Sequence, residues 1–304
     1  LYGRGAADMK AGVSAIVYAV RALKEAGARL AGDVLLDFVI EEECTGNGAL
    51  ASLRRRAGRA KADAAIIPEP FGPTQLIAQV GVLWARIEVK GAAAHVLGAS
   101  GPQAVNAVQK ARIVIDAINE LERSANSRPR PPLWREVEHP LNYNVGTIVA
   151  GDWPSTVPAQ CTLEVRLSMF PGESSREARE SFATGIRRAC AQDAWLREHP
   201  PEVTFFAFDA EGFELGGDEE ILTTLGHAHE SLVGRPLQPY VSTATTDARF
   251  YNLYHGIPAT CYGPVGENLH APDEWVDLES VREVTRVLSA TILDWCGSEG
   301  AGAR

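Results

Sequence analysis

From Met9 onward, apolar residues recur at Val13, Ile16, Val17, Val20 and Leu23, a spacing that predicts an amphipathic helix ended by Gly27. Residues 34–40 then form a nearly continuous apolar run, the pattern of a buried parallel strand, with Ile40 as its last core residue. That run stops at three adjacent carboxylates, Glu41, Glu42 and Glu43, followed by a turn containing Gly46 and Gly48. A second helix is predicted over residues 49–59, with Arg54, Arg55, Arg56 and Arg59 on a solvated face. Residues 62–67 read as another short strand, and it runs into Pro68-Glu69-Pro70. The flanking prolines hold Glu69 in an extended, defined place, more than a solvated glutamate requires. Two strand ends therefore deliver carboxylates to one rim, where chemistry collects in open α/β sheets.

The pattern changes near Gly81. Residues 82–89 alternate in part, as a half-exposed antiparallel strand does. A helix is expected over residues 103–121 with Val105, Val108, Ile113, Ile115 and Ile118 inward, then strands over 142–149 and 160–169, a helix over 175–195 and a strand over 203–208. The order β, α, β, β, α, β is that of a ferredoxin-like sandwich. Helix and parallel-strand alternation then resumes, with a helix over 219–233, a short helix opening near Asp247, a strand over 257–262, a last helix over 278–295 and a disordered tail over 297–304. The expected fold is an α/β, mostly parallel-sheet catalytic domain interrupted by an inserted ferredoxin-like α+β domain. The expected boundaries are residues 1–81 and 211–304 for the first domain and 82–210 for the insert.

Length agrees with this division, because 304 residues exceed what one core usually serves. The net charge of -10 argues against a nucleic-acid or anionic-membrane partner, either of which needs a basic face. No apolar run approaches the roughly 18 residues of a membrane span, and the first residues lack the basic-then-apolar pattern of a signal peptide. The expectation is a soluble cytoplasmic protein. Five widely spaced cysteines without a CxxC pair suit free thiols in a reducing compartment.

Asp8 at a helix start, Glu41, Glu42 and Glu43, Glu69, and His270 after the 257–262 strand are all metal-competent groups at loop transitions. Asp8 alone would be read as a helix N-cap and His270 alone as a loop histidine. Together, hard oxygen ligands with an imidazole suit Zn²⁺, Mn²⁺ or Co²⁺. A short aspartate can bridge two ions, and of adjacent glutamates one can ligate while its neighbour acts as general base.

These residues resemble the M20 family of metallohydrolases, which contains acetylornithine deacetylase, succinyl-diaminopimelate desuccinylase, aminoacylase and carboxypeptidase G2. The matching motifs are Gly5-Ala6-Ala7-Asp8-Met9-Lys10, Glu41 through Gly48, Pro68-Glu69-Pro70, Ala94-His95, Thr246-Asp247-Ala248-Arg249, and Gly263-Pro264 with His270-Ala271-Pro272-Asp273-Glu274. The stretch Gly151-Asp152-Trp153-Pro154 looks closest to acetylornithine-deacetylase-like members. The resemblance implies two divalent ions, zinc before cobalt or manganese, with Asp8 bridging, Glu43 and His270 completing one ion, Glu69 serving the other, and Glu42 as general base. It implies that the inserted domain is both lid and homodimerisation surface. His95 would stabilise the oxyanion, commonly in the partner's site. Arg166 would meet a substrate carboxylate, and Ser155 stands where many members carry an asparagine near the oxyanion. Glu41 stands where the family has aspartate. The family's other ligand histidine belongs to an HxD motif upstream of the Asp8 loop, so the chain is expected to be most of a longer protein.

The resulting expectation is a metal-dependent amidohydrolase that removes the acyl group from an N-acyl amino acid or related amine. The alternatives are an M20 dipeptidase or carboxypeptidase, and a non-catalytic binding relative of the same fold.

Overall fold

The computed structural model describes residues 1–56, 61–101 and 103–298. In chain order the elements are α1 (Gly12–Glu25), α2 (Asn47–Arg56), β1 (Ala65–Ile67), β2 (Thr74–Gln79), β3 (Gly81–Lys90), α3 (Ala107–Ser127), β4 (Asn144–Ala150), β5 (Gln160–Met169), α4 (Ser175–Cys190), α5 (Ala194–Glu198), β6 (Glu202–Ala210), β7 (Phe213–Glu214), α6 (Glu220–Val233), β8 (Gln238–Ser242), β9 (Ala259–Cys261), β10 (Gly266–Glu267), β11 (Trp275–Val276) and α7 (Leu278–Cys296). They form two compact units, one of Leu1–Ala78, Glu214–Ser242 and Thr246–Arg304, the other of Gln79–Phe213 and Thr243–Thr245.

In the first unit β1 pairs in parallel with β9, Ala65 opposite Ala259 and Ile67 opposite Cys261. Both strands are short and run into loops at their carboxyl ends, Glu69 after β1 and the loop leading to His270 after β9. A three-stranded sheet of order β7-β2-β8 and the small antiparallel β10-β11 ladder accompany them. The helical core packs Ala15 and Ala19 of α1 against Leu225 and Ala228 of α6 and Val284, Val287 and Leu288 of α7. Here the structure departs from the sequence pattern, for Val13 and Val17 lie on the exposed side of α1. Close helix packing selected the alanine stripe, whose small side chains let ridges and grooves interlock.

The strand expected over residues 34–40 does not form: the segment joins no ladder among the described residues. Ile40, expected to be the last core residue, is 73% exposed. A strand takes its stability from hydrogen-bonded neighbours and a covered face, and the apolar pattern supplies neither by itself. Arg59 of the basic cluster and residues 299–304 of the expected tail lie outside the described residues.

The second unit is an antiparallel sheet of order β4-β5-β3-β6, covered by α3 and α4. Its core joins Leu83, Ala85, Ile87 and Val89 from alternate positions of β3 to Leu163, Val165 and Leu167 of β5 and to Phe182 and Ile186 of α4. On α3 the innermost residues are Ala107, Ala111, Val114 and Ile118, while Val108, expected inward, is exposed. The helix expected over 175–195 is two helices, because Asp193 caps α5 by accepting from the backbone N–H groups of Trp195 and Leu196, both at 3.0 Å.

Candidate metal centre

Three loops meet in the first unit. The first enters α1: Gly5 adopts φ 72°, and Asp8 leaves the helical region at φ -110°, ψ 92°. Asp8 does not cap the helix; its carboxylate is turned toward His270, with Oδ2 3.2 Å from Nε2. The second loop is built by Glu41, whose own φ is 66°. Its carbonyl accepts from the N–H groups of Thr45 at 3.0 Å and Gly46 at 2.7 Å, and its carboxylate accepts from the Thr45 hydroxyl at 2.8 Å. Glu41, which sequence reasoning left without a role, is therefore the turn residue that presents Glu42 and Glu43. Gly46 closes that turn at φ 71°, and a Cβ there would sit 2.4 Å from the Arg249 Nη2 and 2.5 Å from Asp247 Oδ1. The third loop lies between β10 and β11, where His270 has φ 59° and its Nε2 lies 2.9 Å from Glu43 Oε1. Positive φ at non-glycine residues is uncommon and gathers where structure over-determines a site.

The outcome is that ligand atoms of Asp8, Glu43 and His270 lie within 4.8 Å of one another, although up to 262 positions separate the residues. Glu69, the fourth expected ligand, falls outside that trio. It is buried at 6% exposure, and its Oε1 has no hydrogen-bond partner. The charges of Glu42 and Asp8 nonetheless reach it: burial foremost, then those carboxylates, hold its pKa well above the ordinary range. Burial, followed by the charges of Asp247 and Glu43, pushes Glu42 up to about 8, with Arg249 opposing. Asp8 is raised by burial and then by Glu43. At His270 burial pulls the pKa down, but Glu43 and Asp8 outweigh it and the ring is raised. Asp247 is raised to about 6 by burial against the pull of Arg249.

Carboxylates that raise one another's pKa by burial and proximity are a net cost unless cations compensate. Hard oxygens, one imidazole and an orphaned buried carboxylate oxygen fit divalent ions of the Zn²⁺, Mn²⁺ or Co²⁺ kind. A pH dependence follows for the chelator-treated protein. Its folded state keeps protons on Glu42 and Glu69 that the unfolded chain has released. The stability those groups contribute is fully present below about pH 4 and is lost as pH rises through their raised folded-state values, about 8 for Glu42. Thermal midpoints measured between about pH 5 and 8 should fall. A midpoint that rises across that window would contradict the placement of these acids.

The second unit holds the other sequence-expected residues. His95 is exposed and precedes a short turn; its Nδ1 accepts from the Leu97 N–H at 3.2 Å, which leaves Nε2 as the N–H of the neutral ring. His95 and Ser155 are neighbours, for the Ser155 carbonyl accepts from the Val96 N–H at 2.9 Å and His95 bridges to Thr156. Arg166 donates to Ser168 Oγ at 2.8 Å and to the Thr243 carbonyl at 3.0 Å. Sequence reasoning quoted Asp247, Arg249 and Glu274 within motifs but gave them no work. All three prove to be buried polar residues of the first unit. The five cysteines are free. Among the described residues, no helix is long and apolar enough to cross a membrane.

Comparison with known proteins agrees with this frame. Residues 1–294 match the family model described as Peptidase family M20/M25/M40. The chain is 28% identical over 319 residues to N-formyl-4-amino-5-aminomethyl-2-methylpyrimidine deformylase of Bacillus subtilis, covering 97% of this chain and 72% of that protein. It is 28% identical over 298 residues to succinyl-diaminopimelate desuccinylase of Gluconacetobacter diazotrophicus, covering 95% and 72%. In fold it is similar to the di-peptidase Dug1p of Saccharomyces cerevisiae, with a TM-score of 0.78 at 12% identity over 98% of this chain and 73% of the other. It is also similar in fold to aminopeptidase PepT of Bacillus cereus, with a TM-score of 0.67 at 20% identity over 94% and 70%. The chain belongs to peptidase family M20/M25/M40, a family of hydrolases acting on amide bonds.

Proposed function

We propose that this protein is a metal-dependent deacylase that releases a small acyl group from an N-acylated amine or amino acid. The observation that carries this reading is the convergence of Asp8, Glu43 and His270 with Glu42 beside them. Asp8, Glu43 and His270 would hold one divalent ion, and Asp8 with Glu69 would serve a second; such ions supply Lewis acidity toward the amide carbonyl. Glu42 takes a proton from the attacking water and returns it to the leaving amine, and a pKa near neutrality suits that shuttle. His95 donates from Nε2 to the developing oxyanion. Arg166 meets the substrate's carboxylate with Ser155 among the polar contacts; burial already pulls the Arg166 pKa down, a cost that an anionic substrate would offset. The edge strand β4, with Ile148 and Val149 exposed, is the surface through which the chain forms a homodimer.

The two relatives at 28% identity are named for removing formyl and succinyl groups, which favours a deacylase over a peptidase. The test is a substrate panel of N-formyl, N-acetyl and N-succinyl amines alongside dipeptides, assayed with Zn²⁺, Mn²⁺ or Co²⁺. Turnover confined to the acylated amines is expected. Turnover of the dipeptides alone would replace this reading with the dipeptidase, and no turnover with no bound metal would leave a binding protein.

A further inference from the structure

Glu274 sits four residues after His270 in the loop between β10 and β11, with its side chain 2% exposed. It accepts four hydrogen bonds, three of them from backbone. Oε1 takes the N–H groups of Ala7 and Asp8, both at 3.0 Å. Oε2 takes the Gly5 N–H at 2.8 Å and Arg4 Nη1 at 3.1 Å. The same loop is tied again where the Glu274 carbonyl accepts from the Gly3 N–H at 2.9 Å and the Ala271 carbonyl from Arg4 Nη2 at 2.9 Å. A single carboxylate thus collects the backbone donors of the turn that carries Asp8, and it belongs to the segment that carries His270. Only a carboxylate can do this, since both of its oxygens are acceptors; a carboxamide would aim its own N–H₂ at two of the donors. The bonds hold Glu274 below the ordinary carboxylate range, the Asp8 N–H first among them.

We propose that Glu274 is the positioning residue of the centre, fixing the Gly5–Asp8 turn so that the Asp8 carboxylate meets His270 and thereby setting the affinity for divalent ions. The proposal rests on the metal-centre reading above. Groups that orient ligands without touching the metal commonly change its affinity by about 10–100-fold when replaced.

The test uses the full chain and its Glu274→Gln and Glu274→Asp variants. Zn²⁺ affinity is measured against a competing chelator, and the visible spectrum of the Co²⁺-loaded form is recorded beside circular dichroism. Glu274→Gln is expected to fold, to bind Zn²⁺ about 10–100-fold more weakly and to shift the Co²⁺ bands, which report ligand geometry. Glu274→Asp keeps both acceptor oxygens but withdraws them by one methylene, and it should fall between the two. If Glu274→Gln does not fold, Glu274→Asp carries the measurement. Unchanged affinity and spectrum in a folded variant would overturn the positioning role while leaving the metal centre standing. Failure of the wild-type chain to bind any of the ions would overturn the metal reading and this inference with it.

Discussion

Glu42→Gln is expected to lower kcat by about 10²–10⁴-fold, the usual contribution of a positioned general base, while the number of ions bound per chain stays that of the wild type. The substitution is nearly isosteric, so the turn made by Glu41, Thr45 and Gly46 need not change. What it removes is a carboxylate whose pKa, near 8 in the metal-free protein, lies where a group both takes and returns a proton at neutral pH. It also removes one negative charge from a cluster in which Glu42 raises Glu69, so Glu69 should titrate lower in the variant. The measurements are kcat and KM on the acylated amine found by the panel, with metal content by atomic absorption. Loss of turnover with metal retained separates a base from a ligand. Loss of both would assign Glu42 to the metal instead, and wild-type kcat would remove it from the chemistry.

How much of this was legible in the sequence depends on what stabilises each part. The strands β3, β5 and β6 were readable, and so was the parallel pair β1 and β9, because alternation and short β-branched runs record burial directly. The strands β2, β7 and β8 were not: they are two to six residues long and exist through their neighbours. Helix positions were readable but their inner faces were misread, as with Ala15 and Ala19 against Val13 and Val17, because alanine carries little hydrophobic signal yet fits close packing best. The break before α5 had a signal, an aspartate two residues ahead of Trp195 at a cap position. Asp8, Glu43 and His270 were named from motifs, and the structure brings them together. The role of Glu274, quoted only as part of a motif, was invisible for a physical reason: its main partners are backbone N–H groups, which have no side-chain identity to read.

Arg249→Met should destabilise the protein by about 3–5 kcal/mol, the cost of leaving a buried charge without its partner. The guanidinium is 1% exposed. Its Nη1 donates to the Thr246 carbonyl at 2.8 Å and lies 3.8 Å from Asp247 Oδ1, and its Nη2 donates to the Thr45 carbonyl at 2.9 Å. It also covers the Phe250 ring at 4.2 Å. Methionine keeps much of the length and the ring packing but leaves the buried Thr246 carbonyl and the part-buried Thr45 carbonyl without these donors and takes away the cation that opposes the shifts of Asp247 and Glu42. Because Asp247 titrates at about 6, part of the cost is charge repulsion and desolvation that protonation relieves. The loss measured by denaturant unfolding should therefore be larger at about pH 8 than at about pH 5. Equal losses at both would assign the whole effect to the two carbonyl hydrogen bonds, and no loss would show that the turn presenting Glu42 and Glu43 holds without its anchor. Arg249→Lys separates the contributions again: it restores a charge beside Asp247 but lacks the planar fork that reaches both carbonyls, so it should recover the pH-dependent part and not the remainder.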